Sequence, residues 1–174
     1  MGAIIDRRRY TRRTLLKTAG MAILTPLSVR AAEARRIKWS ELIPGNLPYA
    51  EIIGRGRIDT DKDIWVPEFD ANGSQLNTDL DGQRITLAGY ILPLEIGSEG
   101  VSEFVLVPYV GACIHTPPPP PNQLLFVTSV VPWPQGNLWD AVLVTGVLQA
   151  QPLDTEVANI GYQMQAEYIE PYRA

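Results

Sequence analysis

Cys113 and His115 stand two residues apart in Gly111-Ala112-Cys113-Ile114-His115-Thr116 and are the only cysteine and the only histidine of the chain. On an extended backbone that spacing puts both side chains on one side. A thiolate beside an imidazole suits zinc or copper. Two ligands do not close a zinc site, so the remaining positions would fall to carboxylates, water or a second molecule. The same residues allow two other readings. A cysteine after Gly-Ala can be a small buried hydrophobe with the histidine beside it serving the loop. It can also be a reactive thiol or bond to a partner. A Cys–His hydrolase is the weaker expectation, since such pairs come from separate segments.

The residues next in the chain would hold the pair. Pro117, Pro118, Pro119, Pro120 and Pro121 form an unbroken run. It should adopt a stiff polyproline II rod without amide donors and present an apolar ridge to aromatic grooves. Gly111 and Ala112 permit close approach of a ligand or another backbone. The four tryptophans could line a groove. Trp133, between Pro132 and Pro134, is expected to be exposed, and Trp39, Trp65 and Trp139 are expected in packing. Asp59, Asp61 and Asp63 alternate as in the start of a calcium loop, but the glycine and the closing glutamate that loop requires are absent at their spacings. A solvated acidic loop is the better reading.

The elements around this motif read as strands. Alternating or continuous apolar runs cover 84–91, 103–108, 123–131, 139–148 and 161–169, separated by Gly, Pro and Asn turns. Gly89 marks a bend or bulge in the first. Five strands with a glycine-bent first strand predict a mainly β fold, a small five-stranded OB-like Greek-key barrel over 79–174. A β-sandwich is the alternative. Residues 32–78 read as an irregular extension, with one helical turn at 39–44, and 152–160 as a short helix between the last two strands.

The first 31 residues belong to a different task. Thr11-Arg12-Arg13-Thr14-Leu15-Leu16-Lys17 comes after a basic leader and precedes a short apolar run and small residues. It resembles a twin-arginine export signal, with Arg12 and Arg13 as the pair that is read. The run is shorter than the roughly 20 apolar residues a spanning helix needs, and no later segment is long and apolar enough. A periplasmic location is expected, with no integral membrane segment after cleavage. The leader holds seven of the 15 Lys and Arg and one of the 19 Asp and Glu. It leaves 8 basic and 18 acidic residues and a net charge of −10. That surplus repels phosphate backbones, so nucleic acid is not an expected partner, and it attracts cations.

The stretch from Gly111 to Gln123 also resembles a family of bacterial exported proteins and lipoproteins known only as a domain of unknown function. Its signature is Gly-Ala-Cys-Ile-His-Thr, a proline run and Asn-Gln. Asp81-Gly82, Gly89-Tyr90, Pro93-Leu94 and Gly161-Tyr162 extend the resemblance over roughly residues 40–172. The resemblance implies an OB-type barrel and genes that accompany ABC-type membrane transporters, some linked to zinc supply; it implies no enzyme activity. The expected function is a non-enzymatic periplasmic accessory protein handling zinc or copper or assisting a transporter. The alternatives are an interaction module docking another periplasmic protein through its prolines, and a thiol-dependent enzyme. Replacing Arg12 and Arg13 together by Lys should leave uncleaved precursor in the cytoplasm. Normal periplasmic yield in a fractionation blot would refute the export reading.

Overall fold

The computed structural model describes residues 33–61, 64–110, 117–134, 139–155 and 158–173. Arg12, Arg13, Cys113 and His115 lie outside them. Five long strands carry the fold: β1 Arg84–Gly97, β2 Gly100–Val107, β3 Leu125–Trp133, β4 Ala141–Gln149 and β5 Tyr162–Pro171. They close in the order β1-β2-β3-β5-β4-β1, with β3 and β5 parallel and every other pair antiparallel. This is the closed five-stranded barrel that the strand pattern predicts.

Closure depends on β1 serving two neighbours. Its first half, Arg84 to Tyr90, pairs with β4, and its second half, from Tyr90 onward, pairs with β2. Gly89 sits at that handover. A Cβ there would lie 2.7 Å from Leu106 Cγ and 2.8 Å from the Val107 carbonyl oxygen, so only glycine lets the two strands meet. Along β1, inward Ile85, Leu87 and Ile91 are buried and alternate with partly covered residues. They meet Phe104, Leu106, Leu125, Val127, Val142, Val144, Leu148 and Met164 inside the barrel.

The segment before the barrel is more ordered than an irregular extension. Arg35–Arg36 pairs in parallel with Ile85 and Thr86. A 3-10 turn at Trp39–Leu42 comes next, at the position read as one helical turn, and Leu42 is fully buried in the barrel's core. Ile37 and Leu80 join it. These residues pack where β1, β3 and β5 begin and β4 ends. Beyond the turn, a hairpin of Arg57–Asp59 and Ile64–Val66 forms an arm.

The helix expected within 152–160 is not there. Leu153–Asp154 and Asn159–Ile160 pair as a small antiparallel hairpin, in which Ile160 is buried. Its tight return is stabilised by Thr155, whose backbone N–H and hydroxyl both donate to the Ala158 carbonyl, at 3.0 and 2.8 Å. Among the described residues no helix is long and apolar enough to cross a membrane. Leu42→Ala should cost about 2–5 kcal/mol in urea unfolding, because the barrel walls cannot collapse into the space it leaves. A loss below about 1 kcal/mol would mean the turn does not hold the core together.

Candidate functional site

The loop from β2 to β3 carries the distinctive motif, and both of its feet are held. Tyr109, two residues after β2, donates its hydroxyl to the Pro117 carbonyl across the loop at 3.0 Å. That bond brackets the stretch containing Cys113 and His115. The far foot is built from Pro117 to Gln123. Pro120 has φ −64° and ψ 160°, the polyproline geometry expected of the run, which passes into a 3-10 turn at Pro121–Gln123. Pro119 and Pro120 are buried and Pro121 is half-buried. The run is therefore a wedge set into the fold, and the apolar ridge expected of it is reduced to Pro117 and part of Pro118.

Asn122 and Gln123 explain why the wedge stays. Both side chains are buried. The Asn122 amide donates to the carbonyls of Asn72 and Gln75, at 2.8 and 3.1 Å. The Gln123 amide donates to the Trp39 carbonyl at 3.1 Å and to the Asn122 carbonyl at 2.8 Å. A third buried group completes the arrangement. The Tyr162 hydroxyl donates to the Leu42 carbonyl and accepts from the Asn77 N–H, both at 2.6 Å. The Asn77 amide in turn donates to the Glu41 carbonyl at 2.7 Å, and the Trp39 indole donates to the Ala88 carbonyl at 2.7 Å. Side chains of the motif thus satisfy backbone groups of the extension that burial would otherwise orphan. Asn122 Oδ1 is the one buried side-chain oxygen without a partner among the described residues.

The near foot stands on an apolar outer face. Val105 and Val107 of β2 point away from the barrel interior yet are buried. Register sets Leu92, Val105 and Phe126 side by side, with Tyr90 next to Val107. Leu124, Ile160, Ala158, Tyr109 and Trp139 pack on the same cluster. One residue of this face is strained: Trp139 is a bulky residue at φ 70°, a left-handed conformation that its side chain disfavours. The hydroxyl of half-exposed Tyr49 is pushed up to about 12 by burial and then by Tyr109.

The other aromatic expectations divide. Trp133 is half-buried against the core, its indole donating to Asp140 Oδ2 at 3.1 Å, so it is not the exposed residue its flanking prolines imply. Trp65 is the exposed one, with its indole on the Arg55 carbonyl at 2.8 Å. Asp59 accepts from the Asp61 N–H at 3.2 Å, a local turn in an acidic loop. Among the described residues no three acidic, histidine or cysteine side chains gather as a metal cluster. The Asn122–Gln123–Tyr162 arrangement is not legible from sequence pattern, where Asn-Gln and Gly-Tyr stand only as family markers. Two amides directly after a proline run, where loops are normally solvated, are the one local signal of it.

The family described as a protein of unknown function (DUF3299) matches residues 39–171. The chain is similar to the crystal structure of a DUF3299 family protein from Pseudomonas aeruginosa PAO1 at 2.45 Å resolution. The two share 34% identity and a TM-score of 0.65 over 82% of this chain and 98% of that one. No curated protein matches.

Tyr162 makes the arrangement measurable. Burial, opposed in part by the Asn77 N–H bond, pushes its hydroxyl up to about 12 from the ordinary 10. The unfolded chain ionises first, so stability is intact below pH 10 and is lost as pH rises toward 12. That loss should reach about 2 kcal/mol by pH 11.5. Tyr162→Phe should remove this tyrosine's share of the alkaline loss and cost about 1–3 kcal/mol at neutral pH through the two unpartnered backbone groups. Denaturant midpoints from pH 7 to 11.5 test both; parental pH dependence in the variant would refute the assignment.

Proposed function

The chain belongs to the DUF3299 family of proteins of unknown function, and from that premise we propose that it is an exported, non-enzymatic accessory protein whose Cys113 and His115 hold a soft metal, zinc or copper(I), beside a membrane transporter. The observation that carries this reading is the pair of held feet. Tyr109 closes the loop onto Pro117, and the buried Pro119-to-Gln123 wedge fixes its far end. Holding the two ends of a loop lowers the entropy that metal binding between them must overcome. The acidic surplus left once the leader is removed raises local cation concentration. The near foot, at Tyr109, packs on an apolar face.

Two ligands alone bind weakly, so a carboxylate, water or partner-supplied ligand completes the site, as expected of a protein that passes metal on. Metal binding should displace the thiol proton, so affinity rises with pH through the histidine and cysteine titrations. Docking through the proline run is the poorer reading, because Pro119 and Pro120 are turned into the fold.

Protein recovered from the periplasm without chelators should carry zinc or copper, and Cys113→Ser and His115→Ala should each lower the titrated affinity by about tenfold or more. Parental affinity in both variants would end the metal reading. A depressed Cys113 pKa in thiol titration of the metal-free protein, with no metal bound, would support thiol chemistry instead.

A further inference from the structure

The hairpin arm is a two-stranded sheet. Arg57–Asp59 pairs with Ile64–Val66 along one edge, and among the described residues no strand pairs with its other edge. Such an edge is a template for pairing with another chain. Register places Ile58 directly opposite Trp65, so the two side chains share one face of the arm. Both are exposed, at 68% and 43%. Trp65 is nonetheless held in place. Its indole donates to the Arg55 carbonyl at 2.8 Å and lies over Gly56, where a Cβ would come within 2.6 Å of the indole nitrogen. The ring's one polar group is satisfied within the chain, so the surface it turns outward is apolar.

Charge along the same strand has a two-fold pattern. Arg55-Gly56-Arg57-Ile58-Asp59-Thr60-Asp61 reverses sign about Ile58. Laid antiparallel on a second copy of itself about Ile58, the strand sets Arg57 opposite the partner's Asp59 and Asp59 opposite the partner's Arg57. Arg55 and the partner's Asp61 follow the same rule at the ends. A parallel alignment in the same register would instead oppose like charges at every one of these positions. Within one chain Arg57 meets Asp59 only loosely, at 3.7 Å, and the Arg57 side chain is 69% exposed. Across the two strands each arginine would have one aspartate on its own strand and one opposite, so that four charges alternate around a square.

We propose that the arm binds a second copy of this chain through this edge, by two-fold antiparallel pairing of Arg57–Asp59. The two arms then form a four-stranded sheet. One face carries a row of Trp65, Ile58, the partner's Ile58 and the partner's Trp65, and the other face carries the four alternating charges. The interface uses the same patch on both copies, which is what a closed two-fold dimer requires. The order of signs sets direction and register, and covering the apolar row supplies affinity. The contact is separate from Cys113 and His115 and requires no metal.

Sedimentation velocity of the purified protein over a concentration series tests it. The parent should dimerise reversibly with a dissociation constant on the order of 100 μM, as a small interface implies. Arg57→Asp and Asp59→Arg should each weaken the dimer about tenfold or more, because each sets like charges opposite one another twice. Mixed in equal amounts, these two variants should form a heterodimer at about parental strength, since one then carries only acids and the other only bases at the two positions. Both positions lie on the surface arm, so an unchanged unfolding midpoint verifies the fold of each variant. A parent still monomeric at about 1 mM, single variants that dimerise like the parent, or a mixture no more associated than its components would overturn the proposal. Chelator and Cys113→Ser should leave the dimer intact, which separates this outcome from the fate of the metal reading; a dimer lost on either treatment is metal-bridged and would equally overturn it.

Discussion

Everything in this molecule depends on how one end of a five-stranded barrel is closed. The barrel is open where β1, β3 and β5 begin and β4 ends. The 3-10 turn before the barrel closes that end, placing Leu42 in the interior. Burying a turn brings its backbone carbonyls out of water, and each carbonyl left unpartnered there would cost about 1–3 kcal/mol. Tyr162 satisfies the Leu42 carbonyl and Gln123 the Trp39 carbonyl. Asn122 does the same for the later turn at Ala71–Ser74. The stopper and the polar groups that make it tolerable are one unit, drawn from segments 50 to 120 residues apart.

That unit also fixes the far end of the β2–β3 loop. Asn122 and Gln123 end the proline run, so the bonds that hold the extension in place also fix the far foot of the β2–β3 loop. Gly161 shows how tight the junction is: a Cβ there would sit 2.7 Å from both Leu76 Cδ2 and the Pro121 carbonyl oxygen. The prolines contribute by removing amide donors that would need partners in this crowded place and by lowering the entropy of the unfolded run. Their burial changes their meaning from a surface for partners to a brace between barrel and extension.

The β2 strand illustrates a second constraint. Phe104, Val105, Leu106 and Val107 are all buried, because β2 has the barrel core on one face and a separate apolar cluster on the other. This outer cluster gathers residues from β1, β2, β3, the small 153–160 hairpin and Trp139. It joins the near foot of the loop to the barrel wall. Trp139 keeps a left-handed backbone there, a local cost offset by the apolar surface its ring covers.

The sequence by itself determined the five long strands of the barrel, since alternation in 84–91 and 161–169 and apolar runs elsewhere arise from one- or two-sided burial on a period of two. It also marked Gly89, because a glycine inside an alternating strand announces a close approach, and it singled out the Gly-Ala-Cys-Ile-His-Thr-proline motif by composition alone. The tertiary structure decided what those residues touch. Whether Pro119 faces solvent or core, whether 153–160 coils or pairs, and that Trp133 is covered all depend on neighbours brought together by barrel closure. The 153–160 segment has the local signals of a short helix, but burying Ile160 against the outer face favours the hairpin. The Tyr162 hydroxyl meets Leu42 across 120 positions of chain. No local pattern encodes that bond; it exists because a buried carbonyl needs a donor, and only the closed barrel sets one beside it.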